Sequence, residues 1–213
     1  GDRTNLKEEG ECQGCPAGRF CDRDGLSQPT GCCAAGYLCL GGATVPQPTD
    51  NVTGAVCPAG HWCDECSVVG QPCAAGTFSP QVGIRNASEC YPCTGGMFCE
   101  ESGLTQPTGP CPPGFFCPEG EDTPSLQCLY GFQCPGGDAE PMGCPSGSYS
   151  DAVGLSACKE CPAGFYCDKN DTCSPHDFTQ PKDCPGGHYC LNGTAFSVQY
   201  PCPAGTFGSA TNR

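Results

Sequence analysis

Cysteine is the residue type in this chain that could do chemistry, with 25 copies in 213 residues. Eleven of them open a short motif in which glycine follows three positions later. In eight copies a second cysteine closes the motif six positions after the first, and these begin at Cys15, Cys33, Cys57, Cys93, Cys111, Cys128, Cys161 and Cys184. Three open copies without that second cysteine begin at Cys73, Cys144 and Cys202. We refer to all eleven as turn motifs, numbered 1 to 11 in chain order.

Cysteines at this density either pair as disulfides or bind metal ions. Zinc is the alternative, because four pairs have zinc-type spacing: Cys12-x-x-Cys15, Cys63-x-x-Cys66, Cys90-x-x-Cys93 and Cys158-x-x-Cys161. The steps of six residues and the glycosylation sequons favour oxidation. We therefore expect disulfides and no bound cofactor, whereas a metal-storage protein would show free thiols on titration.

Two acidic stretches faintly resemble calcium loops, namely Asp22-x-Asp24-Gly25 and Asp168-x-Asn170-Asp171. Both lack the remaining ligands of such a loop. Weak calcium binding is thus the less favoured interpretation, and solvated turns are expected instead.

The composition provides few large apolar side chains that a hydrophobic core could bury. Glycine (32) and proline (23) are abundant, and no segment keeps a helical or strand period over a useful length. Disulfides must then replace a core. We expect a small disulfide-rich fold, an elongated tandem array of cysteine-stapled turns and short β-hairpins with little or no helix and a minimal hydrophobic core.

The net charge of −14 excludes nucleic-acid binding, which needs a basic face, and disfavours anionic membranes. No apolar run of 18 residues predicts a membrane span. The sequence also offers no candidate catalytic site, because the three histidines (His61, His176 and His188) form no nucleophile–base set. We predict that the chain is not an enzyme.

The cysteine spacing recurs in three units, which predicts divisions at 1–73, 74–144 and 145–213. Cys12, Cys90 and Cys158 mark corresponding positions. The first unit begins, and the third ends, in the middle of a module.

The composition of each turn motif predicts its backbone. Proline after the first cysteine suits the second position of a turn, and glycine the fourth. Because the glycine recurs in all eleven motifs, it implies a positive φ or a close approach of two backbones. An aromatic residue usually follows, and we expect each ring to cover the disulfide of its own motif.

Two stretches, CPSGSYSDAVGLSACKECPAGFYC and CAAGTFSPQVGIRNASECYPC, resemble the cysteine-rich repeats of ephrin-receptor-like and tumour-necrosis-factor-receptor-like ectodomains. The resemblance covers most of the chain as a class of repeat. Such repeats also build very long surface proteins in protists and algae. The additional turns between Cys-x-x-Cys and the next open motif depart from the receptor pattern.

The resemblance implies a set of disulfides. It pairs Cys73 with Cys90 and Cys144 with Cys158, and leaves Cys57–Cys63 and Cys128–Cys134 to close locally. It also implies crossed pairs, which are Cys15–Cys33 with Cys21–Cys39, Cys93–Cys111 with Cys99–Cys117, and Cys161–Cys184 with Cys167–Cys190. Spacing alone does not choose between crossed pairs and eight local loops. Cys32, Cys66 and Cys173 fall outside the register, and Cys32–Cys66 is the pairing expected for two of them.

Four of the six asparagines head N-glycosylation sequons: Asn51, Asn86, Asn170 and Asn192. We predict that these positions lie on turns or connectors and carry N-linked glycans, as expected of a eukaryotic secreted or cell-surface protein.

These observations favour a structural extracellular protein that forms part of a glycosylated coat, appendage or filament by head-to-tail stacking. Since 25 is odd, at least one cysteine has no partner within the chain. Cys202 lacks a following Cys-x-x-Cys, and Cys12 lacks a preceding open motif, so the two would meet between neighbours or belong to successive repeats. The partner is then the chain itself, or other extracellular proteins. The alternative function is a ligand-binding receptor or adhesion ectodomain.

Overall fold

The computed structural model describes residues 6–169 and 179–209. Within them the fold consists of short β-strands and two 3-10 helices, with no α-helix. The 3-10 helices are Glu9–Glu11 and Ala87–Glu89. The strands of the first half are β1 Arg19–Phe20, β2 Gly31–Cys32, β3 Tyr37–Cys39, β4 Gly54–Val56, β5 His61–Trp62, β6 Gln71–Pro72, β7 Thr77–Phe78 and β8 Tyr91–Pro92. Those of the second half are β9 Met97–Phe98, β10 Gly109–Pro110, β11 Phe132–Gln133, β12 Met142–Gly143, β13 Ser148–Tyr149, β14 Lys159–Glu160, β15 Phe165–Tyr166 and β16 Lys182–Asp183.

Consecutive strands pair as eight antiparallel hairpins, β1 with β2 through β15 with β16. In each hairpin the first strand follows the glycine of a turn motif and the second precedes the next motif. Motifs 6 and 10 make the same connection through single bridges, Phe115 with Gln127 and His188 with Pro201. The sequence prediction of a disulfide-rich fold of turns and short hairpins is confirmed.

The turn inside each motif is one residue later than expected. In motif 1 the Arg19 N–H donates to the Pro16 carbonyl, so proline is the first residue of the turn and glycine the third. All eleven motif glycines have φ between 78° and 90°. A positive φ at the third position is the requirement of a type II turn, and only glycine meets it without strain. The expected positive φ is therefore confirmed, and the expected turn position is wrong.

This turn closes each of the eight closed motifs on itself, so the expected crossed pairs are wrong. Cys15 bonds Cys21 and not Cys33, with a Cα–Cα distance of 5.9 Å. The other pairs six positions apart are Cys33–Cys39, Cys57–Cys63, Cys93–Cys99, Cys111–Cys117, Cys128–Cys134, Cys161–Cys167 and Cys184–Cys190. The physical reason is the chain reversal at the glycine, which brings positions one and seven to the normal disulfide separation. The predicted local pairs Cys57–Cys63 and Cys128–Cys134 are confirmed.

Three longer disulfides agree with the sequence predictions. Cys73 bonds Cys90, and Cys144 bonds Cys158, so two of the open motifs are closed by a cysteine from the next stretch of chain. Cys32 bonds Cys66 across 34 residues. Cys173 lies outside the described residues, and Cys12 and Cys202 are free.

Cystines take the place of a hydrophobic core. Among the described residues, the buried apolar residues are cysteines apart from Ala43 and Ile84. Phe20 packs against a cluster of Cys33, Cys39 and Ala43, which places this ring against the disulfide of the following motif. The expectation that each ring covers the disulfide of its own motif stays a prediction.

The described residues form two compact units. One comprises residues 6–93 and 99–108, and the other comprises 94–98 together with 109–169 and 179–209. The three divisions at 1–73, 74–144 and 145–213 stay a prediction, because they follow cysteine spacing and not packing.

Candidate assembly and glycosylation sites

The glycine of each turn motif forms two backbone hydrogen bonds to the next motif. The Gly18 carbonyl accepts from the Cys33 N–H at 3.0 Å, and the Gly18 N–H donates to the Cys39 carbonyl at 2.9 Å. The same pair of bonds recurs at all ten junctions between consecutive motifs, with N···O distances of 2.7–3.1 Å. Four junctions lie within the first compact unit and six within the second. Each of motifs 1 to 10 thus presents one donor and one acceptor, both on its glycine, that bond to the motif after it.

The open motifs make these junctions as well as the closed ones. Ser79 and Ser150 occupy the position of the missing second cysteine, and their carbonyls accept from Gly60 and Gly131. Both serines are fully buried. Gly208 does the same for Gly187 in motif 11. The junction therefore depends on backbone groups at fixed positions and does not require a disulfide in every motif.

Six of the motif glycines are also covered by a later connector, the stretch of chain between two motifs: Gly18, Gly36, Gly60, Gly96, Gly114 and Gly147. A Cβ built on Gly36 would lie 2.5 Å from the Gly83 carbonyl oxygen, and one on Gly60 would lie 2.2 Å from that of Gly103. The covering residues themselves have φ near 70–80°, as in Gly83 and Gly103. Close approach and positive φ both exclude side chains at these glycines.

One connector carries cysteine where the others carry glycine. Cys66 has φ of 65° and its carbonyl covers Gly18 in the same way. Its side chain forms the disulfide to Cys32. Cys66 therefore combines a left-handed backbone conformation with the additional cross-link to Cys32.

Sequence reasoning missed this layer of contacts. The signal for it is a glycine three or four residues after most motifs, at Gly25, Gly42, Gly83, Gly103, Gly120, Gly137, Gly154 and Gly193. All of these glycines have positive φ.

Motif 11 has the same internal structure as the other open motifs. In each, a hydroxyl after the glycine donates back into the turn, from Thr77 to Ala74, from Ser148 to Pro145 and from Thr206 to Pro203, at 2.6–2.7 Å. Its forward side is free among the described residues, since no hydrogen bond reaches Gly205 N–H or C=O. Phe207 is 86 % exposed, whereas Phe78 and Tyr149 at the same position are half-buried.

The segment before motif 1 has the structure of a closing segment. Residues 85–90 lead into Cys90, which closes motif 4, and residues 7–12 lead into Cys12 through a matching 3-10 helix. The Arg85 N–H donates to the Glu89 carboxylate at 3.2 Å, and the Lys7 N–H donates to that of Glu11 at 2.8 Å. Cys12 has φ −66° and ψ 134°, compared with −70° and 132° at Cys90. No described residue hydrogen-bonds the Cys15 N–H or the Cys21 carbonyl.

No protein-family model matches this chain. In the part of the chain that the structure describes, no helix is both long enough and apolar enough to cross a membrane. The disulfides are of the number and kind found in proteins of oxidising, extracellular-type compartments.

Three of the four predicted glycosylation sites fall on described residues, and all three asparagines are exposed. Asn51 lies in the connector between motifs 2 and 3 with φ 58°. Asn86 precedes the second 3-10 helix and accepts from the Ser88 hydroxyl at 2.5 Å. Asn192 accepts from the Ala163 N–H at 2.8 Å through Oδ1, which leaves its amide nitrogen for a glycan. Asn170 lies outside the described residues.

Asp50 organises the turn that carries the Asn51 sequon. Its carboxylate accepts from the N–H groups of Val52, Thr53 and Gly54 and from the Thr53 hydroxyl, at 2.8–3.3 Å. These bonds favour the charged form and lower the pKa of Asp50 from 3.8 to about 2, the Val52 N–H being the largest cause.

The remaining candidate ligands have local roles. Asp22 accepts from the Thr30 hydroxyl at 2.6 Å in one of the two stretches that resemble calcium loops. Of the eight cysteines with zinc-type spacing, all but Cys12 are in disulfides and offer no thiolate. No group of three or more potential metal ligands occurs among the described residues. His61 and His188 each contact a carbonyl two residues earlier, and His176 lies outside these residues.

Proposed function

We propose that this chain is a structural extracellular repeat protein, a section of a glycosylated coat, appendage or filament in which copies stack head to tail. The observation that carries the proposal is the invariant junction between consecutive turn motifs. It is repeated ten times among the described residues, always through the same two backbone hydrogen bonds.

The chemistry of the junction suits a scaffold. Repeat proteins in which each unit contacts mainly its neighbours gain stability by adding units. A contact between two different faces of identical subunits is heterologous, so it propagates as a fibre unless its rotation closes a ring. Local disulfides close eight of the eleven motifs, so the turn of each of these is fixed within seven residues. Together these features support a load-bearing or surface-covering role.

The test is the concentration dependence of assembly. The secreted 213-residue chain should sediment as a series of oligomers whose mean size rises with concentration, and micrographs should show unbranched strings. A chain that stays monomeric across the accessible range would overturn the proposal.

Glycosylation is the second part of the proposal. Asn51, Asn86, Asn170 and Asn192 carry N-linked glycans, and the exposure of the three described sites supports this. Digestion with a glycosidase that converts glycosylated Asn to Asp should shift the mass of the matching peptides. Four Asn→Gln variants, one per site, provide the control, and an unchanged mass at all four sites would refute this part.

A receptor or adhesion ectodomain remains the alternative. The pairs Cys73–Cys90 and Cys144–Cys158 support the resemblance to receptor repeats, whereas the local pairs of the closed motifs depart from what that resemblance implies. Monomers that bind a separate extracellular protein, without self-assembly, would favour this alternative.

A further inference from the structure

We propose that a cavity in the second compact unit, lined by Tyr130, Tyr149, Asp151 and residues 179–181, is a binding site for a neutral carbohydrate. We call it the tyrosine groove. Its volume of about 500 Å³ lies within the range of small-ligand sites. The inference goes beyond the proposed structural role and does not depend on self-assembly.

Tyr130 distinguishes this place from the rest of the repeat. It occupies the third position of turn motif 7, where the other ten motifs carry alanine, glycine, serine or proline. The turn therefore does not need a large side chain at this position. Tyr130 is nevertheless 47 % exposed. An exposed tyrosine that the fold does not require is typical of a binding surface, because its ring offers a large contact area and its hydroxyl a polar handle.

Three stretches of chain hold the lining of the tyrosine groove in place. Tyr130 lies inside the disulfide loop 128–134. Tyr149 belongs to β13, inside the disulfide loop 144–158. Residues 179–181 lead directly into β16, which pairs with β15. Because the first two stretches are cross-linked, much of the lining is ordered before a ligand arrives, which lowers the entropic cost of binding.

Most polar side chains of the groove are available to a ligand. Those that form no hydrogen bond to any residue described by the structure are Tyr130, Tyr149, Thr179 and Gln180. Hydroxyl and amide groups of this kind can both donate and accept hydrogen bonds.

Asp151 adds a group that only accepts. Lys159 Nζ lies 2.7 Å from its Oδ1 and donates to its Oδ2 at 2.9 Å. This hydrogen bond lowers the pKa of Asp151, so the carboxylate is charged and has no proton to donate. Lys159 is opposite Tyr149 in the β13–β14 hairpin, and its charge is already matched by Asp151.

This set of groups fits a neutral sugar. Sugar hydroxyls donate and accept, so they can satisfy the free hydroxyls, the Gln180 amide and the charged carboxylate together. The C–H face of a sugar ring can pack on the negatively polarised face of a tyrosine. An anionic glycan would need a free cation, whereas the cation beside the groove is held by Asp151.

A proline-rich peptide is the other ligand known to occupy aromatic-lined grooves. Its prolines offer carbonyl acceptors but no N–H donors. Such a peptide would leave the Asp151 carboxylate facing only acceptors, so the hydrogen-bonding groups of the groove favour the sugar.

The experiment measures binding of the secreted full chain to an array of oligosaccharides, before and after enzymatic removal of its own N-linked glycans. Neutral oligosaccharides ending in mannose, glucose, galactose or N-acetylglucosamine should bind, and sialylated or sulfated ones should not. Stronger binding after removal would identify the chain's own glycans as the ligand, and equal binding a glycan of another molecule; both results support the proposal.

Tyr130→Ala tests the site itself. Alanine occupies this position in six other motifs, so the turn should still form. Loss of one aromatic contact should lower the affinity for the best-binding neutral oligosaccharide about tenfold. Tyr130→Phe keeps the ring and should retain most of the affinity. The matched control is Leu129→Ala, which changes an exposed neighbour outside the groove and should leave binding unchanged.

An NMR titration of the unsubstituted chain supplies a measurement that does not depend on any variant. The ring signals of Tyr130 and Tyr149 should shift as the oligosaccharide is added, and unchanged signals at both rings would overturn the site. Affinity that is the same in Tyr130→Ala would do so too. Absence of binding to every neutral oligosaccharide, or binding of a polyproline peptide in their place, would overturn the carbohydrate as the ligand.

Discussion

The module 73–90 and the free segments 202–208 and 7–12 have the same local structure but differ in one bond. In the module, Cys73 and Cys90 are joined, and β7 pairs with β8. In the free segments the corresponding cysteines are unpaired, although the turn and the 3-10 helix are formed. The comparison shows that the turn and the 3-10 helix are present both where the disulfide is formed and where the cysteine is free.

The largest expected difference between these regions is thermodynamic. The double substitution Cys73→Ser with Cys90→Ser removes a cross-link of 17-residue separation and should lower the free energy of unfolding by about 3 kcal/mol. The matched control, Cys12→Ser with Cys202→Ser, introduces the same two serines where no bond exists and should leave the monomer's unfolding unchanged. Calorimetry of both monomers measures the difference. Equal melting temperatures would mean that the two regions do not differ as described.

Glycine substitutions test the covering of one motif by a later connector. Gly36→Ala places a Cβ 2.5 Å from the Gly83 carbonyl oxygen at φ of 87°, so both a backbone clash and a strained dihedral result. We expect a loss of roughly 2–4 kcal/mol in the free energy of unfolding. Gly205→Ala has φ of 88° but open space around the new methyl group, and should cost only about 1 kcal/mol. Chemical denaturation of the two variants compares them, and an equal cost would show that backbone strain alone accounts for both.

The smallest effect concerns the connector that holds Asn51. Because its carboxylate accepts four hydrogen bonds, Asp50 has a folded pKa of about 2, below the unfolded value of 3.8. Its contribution to stability is therefore complete above pH 3.8 and is lost as the pH falls through 2. An NMR titration of the Asp50 carboxyl carbon should show the lowered midpoint. Asp50→Asn is the control for the unfolding experiment and should flatten this part of the pH dependence, whereas an Asp50 midpoint near 4 would contradict the account.

The sequence predicted the fold class and the long disulfides, and the reasons are physical. Because apolar residues are scarce and cysteines are dense, an array stabilised by disulfides was the fold to expect. The resemblance to known repeats indicated the partners of Cys73 and Cys144. Three cysteines fall outside the repeat, Cys32, Cys66 and Cys173, and the bond between the first two was the pairing expected among them.

The local pairing of Cys15 with Cys21 was not predictable from spacing. A step of six residues permits either a local loop or a crossed pair, and the choice depends on the chain reversal at Gly18, with φ of 80°. The contact between Gly36 and the Gly83 carbonyl could not be predicted from the sequence either, because it joins backbone atoms 47 positions apart. The glycines of the connectors were present in the sequence, but only a fold that brings them over earlier motifs gives them this role.

A disulfide map of the secreted monomer fraction, alkylated without reduction, tests the central claim most directly. The account predicts that Cys15–Cys21 and the other local pairs appear together with Cys73–Cys90, Cys144–Cys158 and Cys32–Cys66, and that Cys12 and Cys202 are both alkylated. Finding Cys15 bonded to Cys33, or Cys12 bonded to Cys202 within one monomer, would contradict it.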